Sequence, residues 1–222
     1  MNHHQTQAVI YDFDGTIIDT EQLHANGWRH VGVRYGFEVT PEAIVQQRGL
    51  SGDKALRLMI PADRVDLLSK AKIDEMREVK SGYVLEHAGS CPILPGFTEA
   101  YDALRAQALL VGVCTSSRAD FIDAVLQQRT ELSGLRGSIV SKGMFSKGKP
   151  DAEPLLKTLE HLGGIASANA VYVGDAYSDY MCAINAHVHY VHFDAGTPDP
   201  RIPTEVVRIR DHRDLLTIIG RD

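Results

Sequence analysis

Ala8-Val9-Ile10-Tyr11-Asp12-Phe13-Asp14-Gly15-Thr16-Ile17-Ile18 is an apolar run that ends in two acids, followed at once by glycine and threonine. The run reads as a short buried β-strand with both carboxylates at its tip. Two acids one residue apart repel each other and lose water there, which is costly unless a cation or a reaction uses them. A surface turn is the plain alternative, because Asp and Gly favour turns. An EF-hand loop fits worse, since its glycine stands sixth and follows a helix. A metal or phosphoryl site is the third reading, and the rest of the chain has to choose among them.

With 222 residues the chain can bury a full core, as one large domain or as a domain carrying a smaller insertion. Its 44% hydrophobic and 23% charged residues are ordinary for a globular protein. The formal charge of −6 argues against a nucleic-acid binder, which needs clustered cations. No apolar run approaches the roughly 18 residues of a membrane span. The start Met1-Asn-His-His-Gln-Thr-Gln7 has neither the charged nor the apolar region of a signal peptide. Cys91, Cys114 and Cys182 are too few for a disulfide framework. A reduced, cytoplasmic protein is expected, working as a monomer or weak dimer with no nucleic-acid or membrane partner.

Outward from the first strand, residues 19 to about 86 have helical patterning and almost no strand signal. Thr40-Pro41-Glu42 is a helix start, and 61–86 reads as one or two charged helices with Val65, Leu68, Ile73 and Met76 near helical spacing. Cys91-Pro-Ile-Leu-Pro-Gly96 then breaks the pattern. Beyond it, helices expected near 97–107, 118–128 and 152–162 alternate with apolar strands at 108–115, 138–140, 170–175, 189–193 and 206–209. Near-continuous apolar strands between helices imply a parallel sheet covered on both faces. The expected architecture is α/β: a Rossmann-like parallel-sheet core from 1–17 and 94–222, with an inserted helical cap at 18–93.

Parallel sheets bind ligands beyond the carboxyl ends of their strands. The first strand delivers Asp12 and Asp14 there. The strand at 108–115 delivers Thr115, with Ser116, Ser117 and Arg118 expected to open the next helix. The strand at 170–175 delivers Asp175, with Asp179 one turn later, and Lys149 precedes a helix at the same rim. Acids, hydroxyls and an ammonium on one edge suit phosphoryl transfer. Asp12 and Asp175 offer hard oxygens for Mg²⁺. Thr115 can donate to a phosphoryl oxygen, Lys149 can neutralise it, and Ser116 with backbone N–H groups can add donors. Asp14 is placed to protonate a leaving group and then activate water.

These residues resemble the phosphatase branch of the haloacid dehalogenase superfamily. Asp12-Phe-Asp-Gly-Thr16 is similar to its first motif, Thr115 to the second, Lys149 to the third, and Gly174-Asp175 with Asp179 to the fourth. The resemblance implies that Asp12 is a nucleophile forming a phosphoaspartate and that Asp14 is general acid and base. It also implies Mg²⁺ held by Asp12, the backbone carbonyl of Asp14, and Asp175, with Asp179 supporting the lysine and metal waters. The segment from Asp19 to His24, with Trp28, resembles the start of the cap in β-phosphoglucomutase-like members. Gly174 stands where those mutases carry an acid, which favours a phosphatase acting on a small phosphorylated metabolite of the sugar phosphate or phosphoglycolate type.

A phosphomutase is the nearest alternative. A receiver-like phosphoacceptor is the non-enzymatic one, though it needs neither a cap nor Asp14. In the cap, His24 and Arg48 are the first candidates for binding the rest of the substrate, ahead of Ser51, Lys54 and Lys80. Cys114 reads as a small buried strand residue, and His187, His189 and His192 read as lying along one strand.

Overall fold

The computed structural model describes residues 6–47, 52–194, 196 and 199–220. The chain divides into two compact units, Met1–Asp19 with Pro92–Asp222, and Thr20–Cys91. In the first unit, strands β1 (Ala8–Tyr11), β2 (Leu110–Arg118), β3 (Ile139–Lys142), β4 (Ala170–Gly174), β5 (His189–Phe193) and β6 (Arg208–Ile209) form one sheet. All neighbours are parallel, in the order β3-β2-β1-β4-β5-β6. The chain leaves β1 toward β2 and β3, then returns on the other side of β1 with β4. That reversal makes the carboxyl ends of β1, β2 and β4 the switch point at which such sheets place ligands.

The second unit is helical: α1 (Glu21–Tyr35), α2 (Pro41–Gln46), α3 (Gly52–Met59) and α4 (Lys70–Glu86). Thr40 caps α2, its side chain accepting from Ala43 N at 3.2 Å. Trp28, Val31, Leu56, Ile73 and Met76 fill this unit's own core. Val65 does not join them. It lies in a short 3-10 turn, Val65–Leu68, and is 68% exposed, because the stretch forms two helical pieces and the chain bends between them, which breaks the apolar spacing before α4.

In the first unit, α5 (Phe97–Ala106), α6 (Ala119–Gln128), α7 (Glu153–His161), α8 (Tyr177–Ala186) and α9 (Asp214–Ile219) flank the sheet. All four β1 side chains are fully buried, as the unbroken apolar run requires. Ala8, Ile10 and Tyr172 pack with Leu155, Leu159 and Ala183 of α7 and α8. By alternation Tyr11 points the other way, meeting Phe97 edge-on at 5.3 Å. Burying a side chain such as Ile10 contributes about 1.5–3 kcal/mol. Among the described residues no helix is long and apolar enough to cross a membrane.

Three expectations need correction. β2 does not stop at Thr115: Arg118 pairs with Lys142 after a register shift, so Ser116 to Arg118 extend the strand and the helix opens at Ala119. The last strand is only Arg208–Ile209. His187 is not in a strand but ends α8 with φ 55°, while His189 is exposed and His192 buried on β5. The two strand histidines are three residues apart and so sit on opposite faces.

Candidate active site

The ladder of β1 continues one residue beyond the strand, with Asp12 N donating to Val173 O at 2.8 Å. This fixes Asp12 at the sheet edge. A tight turn follows, closed by Gly15 N to Ile18 O at 2.8 Å and Ile17 N to Phe13 O at 2.9 Å. Gly15 has φ +76°, and a Cβ there would fall on the Asp175 carboxylate. Only glycine meets both demands. Thr16 is buried, its hydroxyl donating to Asp175 Oδ1 at 3.0 Å. The chain then runs beside the returning linker, with Ile18 bridged to Ile93.

Lys149 Nζ donates to Asp12 Oδ1 and to Asp179 Oδ1, both at 2.7 Å, with its side chain only 3% exposed. Lys142 and Lys147, the other lysines of this stretch, are exposed. The lysine loop is tied down from several sides. Glu153 accepts from Ser146 N, Ser146 Oγ and Lys147 N, and those hydrogen bonds hold its carboxyl down to about 2. Asn185 donates to Pro150 O at 2.9 Å.

Asp179 is 1% exposed. Its Oδ1 also accepts from Tyr172 OH at 2.9 Å, and its Oδ2 accepts from Ala176 N at 3.0 Å, inside the first turn of α8. It is thus both a helix-turn acid and a partner of the lysine. Gly174 is required by this approach: a Cβ there would lie 2.6 Å from Asp179 Cβ.

Thr115 is fully buried at the β2 edge, and its Oγ1 accepts from Ser117 N at 3.0 Å, which leaves the hydroxyl hydrogen as a donor. Ser117 Oγ donates to Asp14 Oδ2. Ser116 is exposed beside them. Cys114 is buried one residue earlier, and burial pushes its thiol up to about 11, which suits a packing role.

Carboxylate oxygens of Asp12, Asp175 and Asp179 lie within 4.8 Å of one another. Burial and then Asp179 hold the Asp12 carboxyl well above its usual range and push Asp175 up to about 7. Burial alone would lower the Lys149 ammonium, but Asp12 and Asp179 hold it well above the usual lysine range. One ammonium among these acids leaves the cluster short of positive charge. Its all-oxygen donor set suits a hard divalent cation such as Mg²⁺. Asp179 already commits both oxygens to Lys149, Tyr172 and Ala176, so Asp12 and Asp175 are the acids better able to meet a metal.

Of the sequence candidates, Asp12, Asp14, Thr115, Lys149, Asp175 and Asp179 gather through these bonds at the edge of β1, β2 and β4. Arg48 and Ser51 lie outside the described residues. His24 lies in the helical unit, where Lys80 Nζ sits 3.0 Å from its Nδ1 and 4.7 Å from the Trp28 ring centroid. Burial and the neighbouring Lys80 push His24 down to about 4, so it is a neutral acceptor. Sequence reasoning missed the parts played by Thr16, Ser117 and Tyr172. Tyr172 left a signal, since a tyrosine hydroxyl in a fully buried strand usually finds a partner.

Residues 9–193 match the haloacid dehalogenase-like hydrolase family. A phosphoglycolate phosphatase of Agrobacterium fabrum is 30% identical over 86% of this chain and 81% of its own length. A β-phosphoglucomutase of Bacillus subtilis is 23% identical over 86% of this chain and 85% of its own. Among solved structures, a subfamily IA hydrolase of Geobacter sulfurreducens superposes with TM-score 0.77 at 25% identity, covering 97% of both chains. On the family match across most of its length, the protein belongs to the haloacid dehalogenase-like hydrolases.

Proposed function

We propose that the protein is a Mg²⁺-dependent phosphatase that hydrolyses a small phosphorylated metabolite through a phosphoaspartate on Asp12. The observation that carries this reading is the buried Lys149 bridge between Asp12 and Asp179, set among more acids than it can neutralise. A carboxylate oxygen of Asp12 attacks phosphorus, and the phosphorus–ester oxygen bond breaks. Asp14 gives its proton to the departing oxygen. In the second step Asp14 takes a proton from water, the water oxygen bonds to phosphorus, and the bond to Asp12 breaks, releasing inorganic phosphate and restoring the carboxylate.

Thr115 and Lys149 hold phosphoryl oxygens in both steps. Ser116 is assigned a phosphoryl contact because it adjoins Thr115, a helix start being no longer available as the reason. Mg²⁺ would be held by Asp12, Asp175 and the backbone carbonyl of Asp14, and it supplies charge that lets a carboxylate approach a phosphoryl group. Asp179 keeps Lys149 in place. The helical unit is assigned the choice of leaving group, through His24 and Arg48.

Gly174 favours hydrolysis over the mutase alternative, because Asp179 fills the space an acidic side chain at 174 would need. The test is a panel of sugar phosphates and phosphoglycolate with Mg²⁺, read for both inorganic phosphate and isomerised ester. Phosphate release is expected; isomerisation without release would establish the mutase, and neither product would refute the reading.

A further inference from the structure

Each acid beside the nucleophile takes a hydroxyl from a different strand or turn: Thr16 to Asp175, Tyr172 to Asp179 and Ser117 to Asp14. The third pair is distinct, because on the proposed mechanism Asp14 must present its carboxyl to two different oxygens in turn. Asp14 follows β1 on a tight turn, and a side chain with two rotatable bonds does not aim itself. Ser117 reaches it only because β2 runs past Thr115, where a helix would have turned the chain away. The same short segment closes on itself, with Thr115 Oγ1 accepting from Ser117 N at 3.0 Å. One extended stretch of β2 therefore sets the phosphoryl donor Thr115 and the partner of Asp14 together.

We propose that Ser117 is a positioning residue for proton transfer, its hydroxyl fixing one oxygen of the Asp14 carboxyl so that the acid is aimed at the leaving oxygen and afterwards at water. The inference rests on the phosphatase reading and on Asp14 as its acid and base. It differs from phosphoryl binding in what it makes sensitive. In the first step, which kcat/KM reports, a group that holds the phosphoryl oxygens matters for every ester, whereas a group that aims the acid matters only when the leaving oxygen needs a proton. The water step that follows is the same for all esters.

The test compares p-nitrophenyl phosphate, whose leaving group departs without help, with an alkyl phosphate the wild type hydrolyses. Ser117→Ala should lower kcat/KM on the alkyl ester by about 10–100-fold, the range for losing a hydrogen bond to a charged group. It should change kcat/KM for p-nitrophenyl phosphate by less than about threefold, any loss in the shared water step appearing in kcat for both esters. Ser117→Thr, which keeps the hydroxyl, should restore the alkyl ester rate. Adding Ser117→Ala to Asp14→Asn should cost nothing further, because the two act as one unit. Equal losses on both esters, or the alanine pattern in Ser117→Thr, would overturn the inference while leaving the phosphatase reading standing. A wild type that releases phosphate from neither ester would overturn both.

Discussion

Replacing Asp175 with asparagine should make the metal-free protein more stable above neutral pH while removing its activity. Burial and Asp179 raise this carboxyl from 3.8 to about 7. Between those values the unfolded chain is ionised while the folded one keeps its proton. The contribution of this group to stability is therefore greatest below pH 4 and falls as pH rises toward 7. A displacement of that size corresponds to about 4 kcal/mol. Asp175 retains some solvent contact, which reduces the figure to about 2 kcal/mol. Asparagine is nearly isosteric, can still accept from Thr16 Oγ1, and carries no charge to desolvate. Urea unfolding in chelator at pH 4, 6 and 8 should show the variant equal to wild type at the lowest pH and more stable at the highest. Added Mg²⁺ should then stabilise the wild type much more than the variant. A variant less stable than wild type at pH 8 without metal, or a difference that does not change with pH, would refute the reasoning.

His212 should govern the opposite limb when Mg²⁺ is bound. It is fully buried, stacks on Phe193 at 4.4 Å, sits 2.7 Å from Thr16 O through Nε2, and is pushed down to about 4 chiefly by burial. Its contribution is complete above pH 6.5 and is lost as pH falls toward 4, by up to about 3 kcal/mol; denaturation of His212→Gln should show a flatter acid limb, and an unchanged slope would count against it. Gly174→Ala should cost about 1–3 kcal/mol in a thermal melt, since its Cβ would overlap Asp179; a neutral substitution would contradict the close approach. Tyr172→Phe removes the hydroxyl that meets Asp179 Oδ1 at 2.9 Å and Cys114 O at 3.4 Å, so denaturation should report a loss of about 1–3 kcal/mol, and none would mean those bonds are idle.

The parts of the molecule legible in its sequence are those written locally. The run Ala8–Tyr11 announces a buried strand, and Thr40-Pro41 a helix start, because neighbouring residues alone decide them. Asp12, Lys149 and Asp179 were legible together because parallel strands all deliver their ends to one edge, a rule that needs no coordinates. What stayed hidden depends on approach between distant segments. Ser117 meets Asp14 only through a register shift in β2 that no periodicity encodes. His212 reaches Thr16 from the far end of the chain, and its neighbours give no signal of it. Val65 was misplaced because a bend before α4 interrupts a period that the sequence continues.

The central claim is that Asp12 carries the phosphoryl group, and Asp12→Asn tests it most directly. Phosphate release from the best ester of the panel should be measured with and without Mg²⁺, for wild type and variant, with unfolding curves to show that both are folded. Release that needs Mg²⁺ and falls by about 10³-fold or more in the variant is the predicted result. Hydrolysis that persists in a folded Asp12→Asn protein would contradict the account.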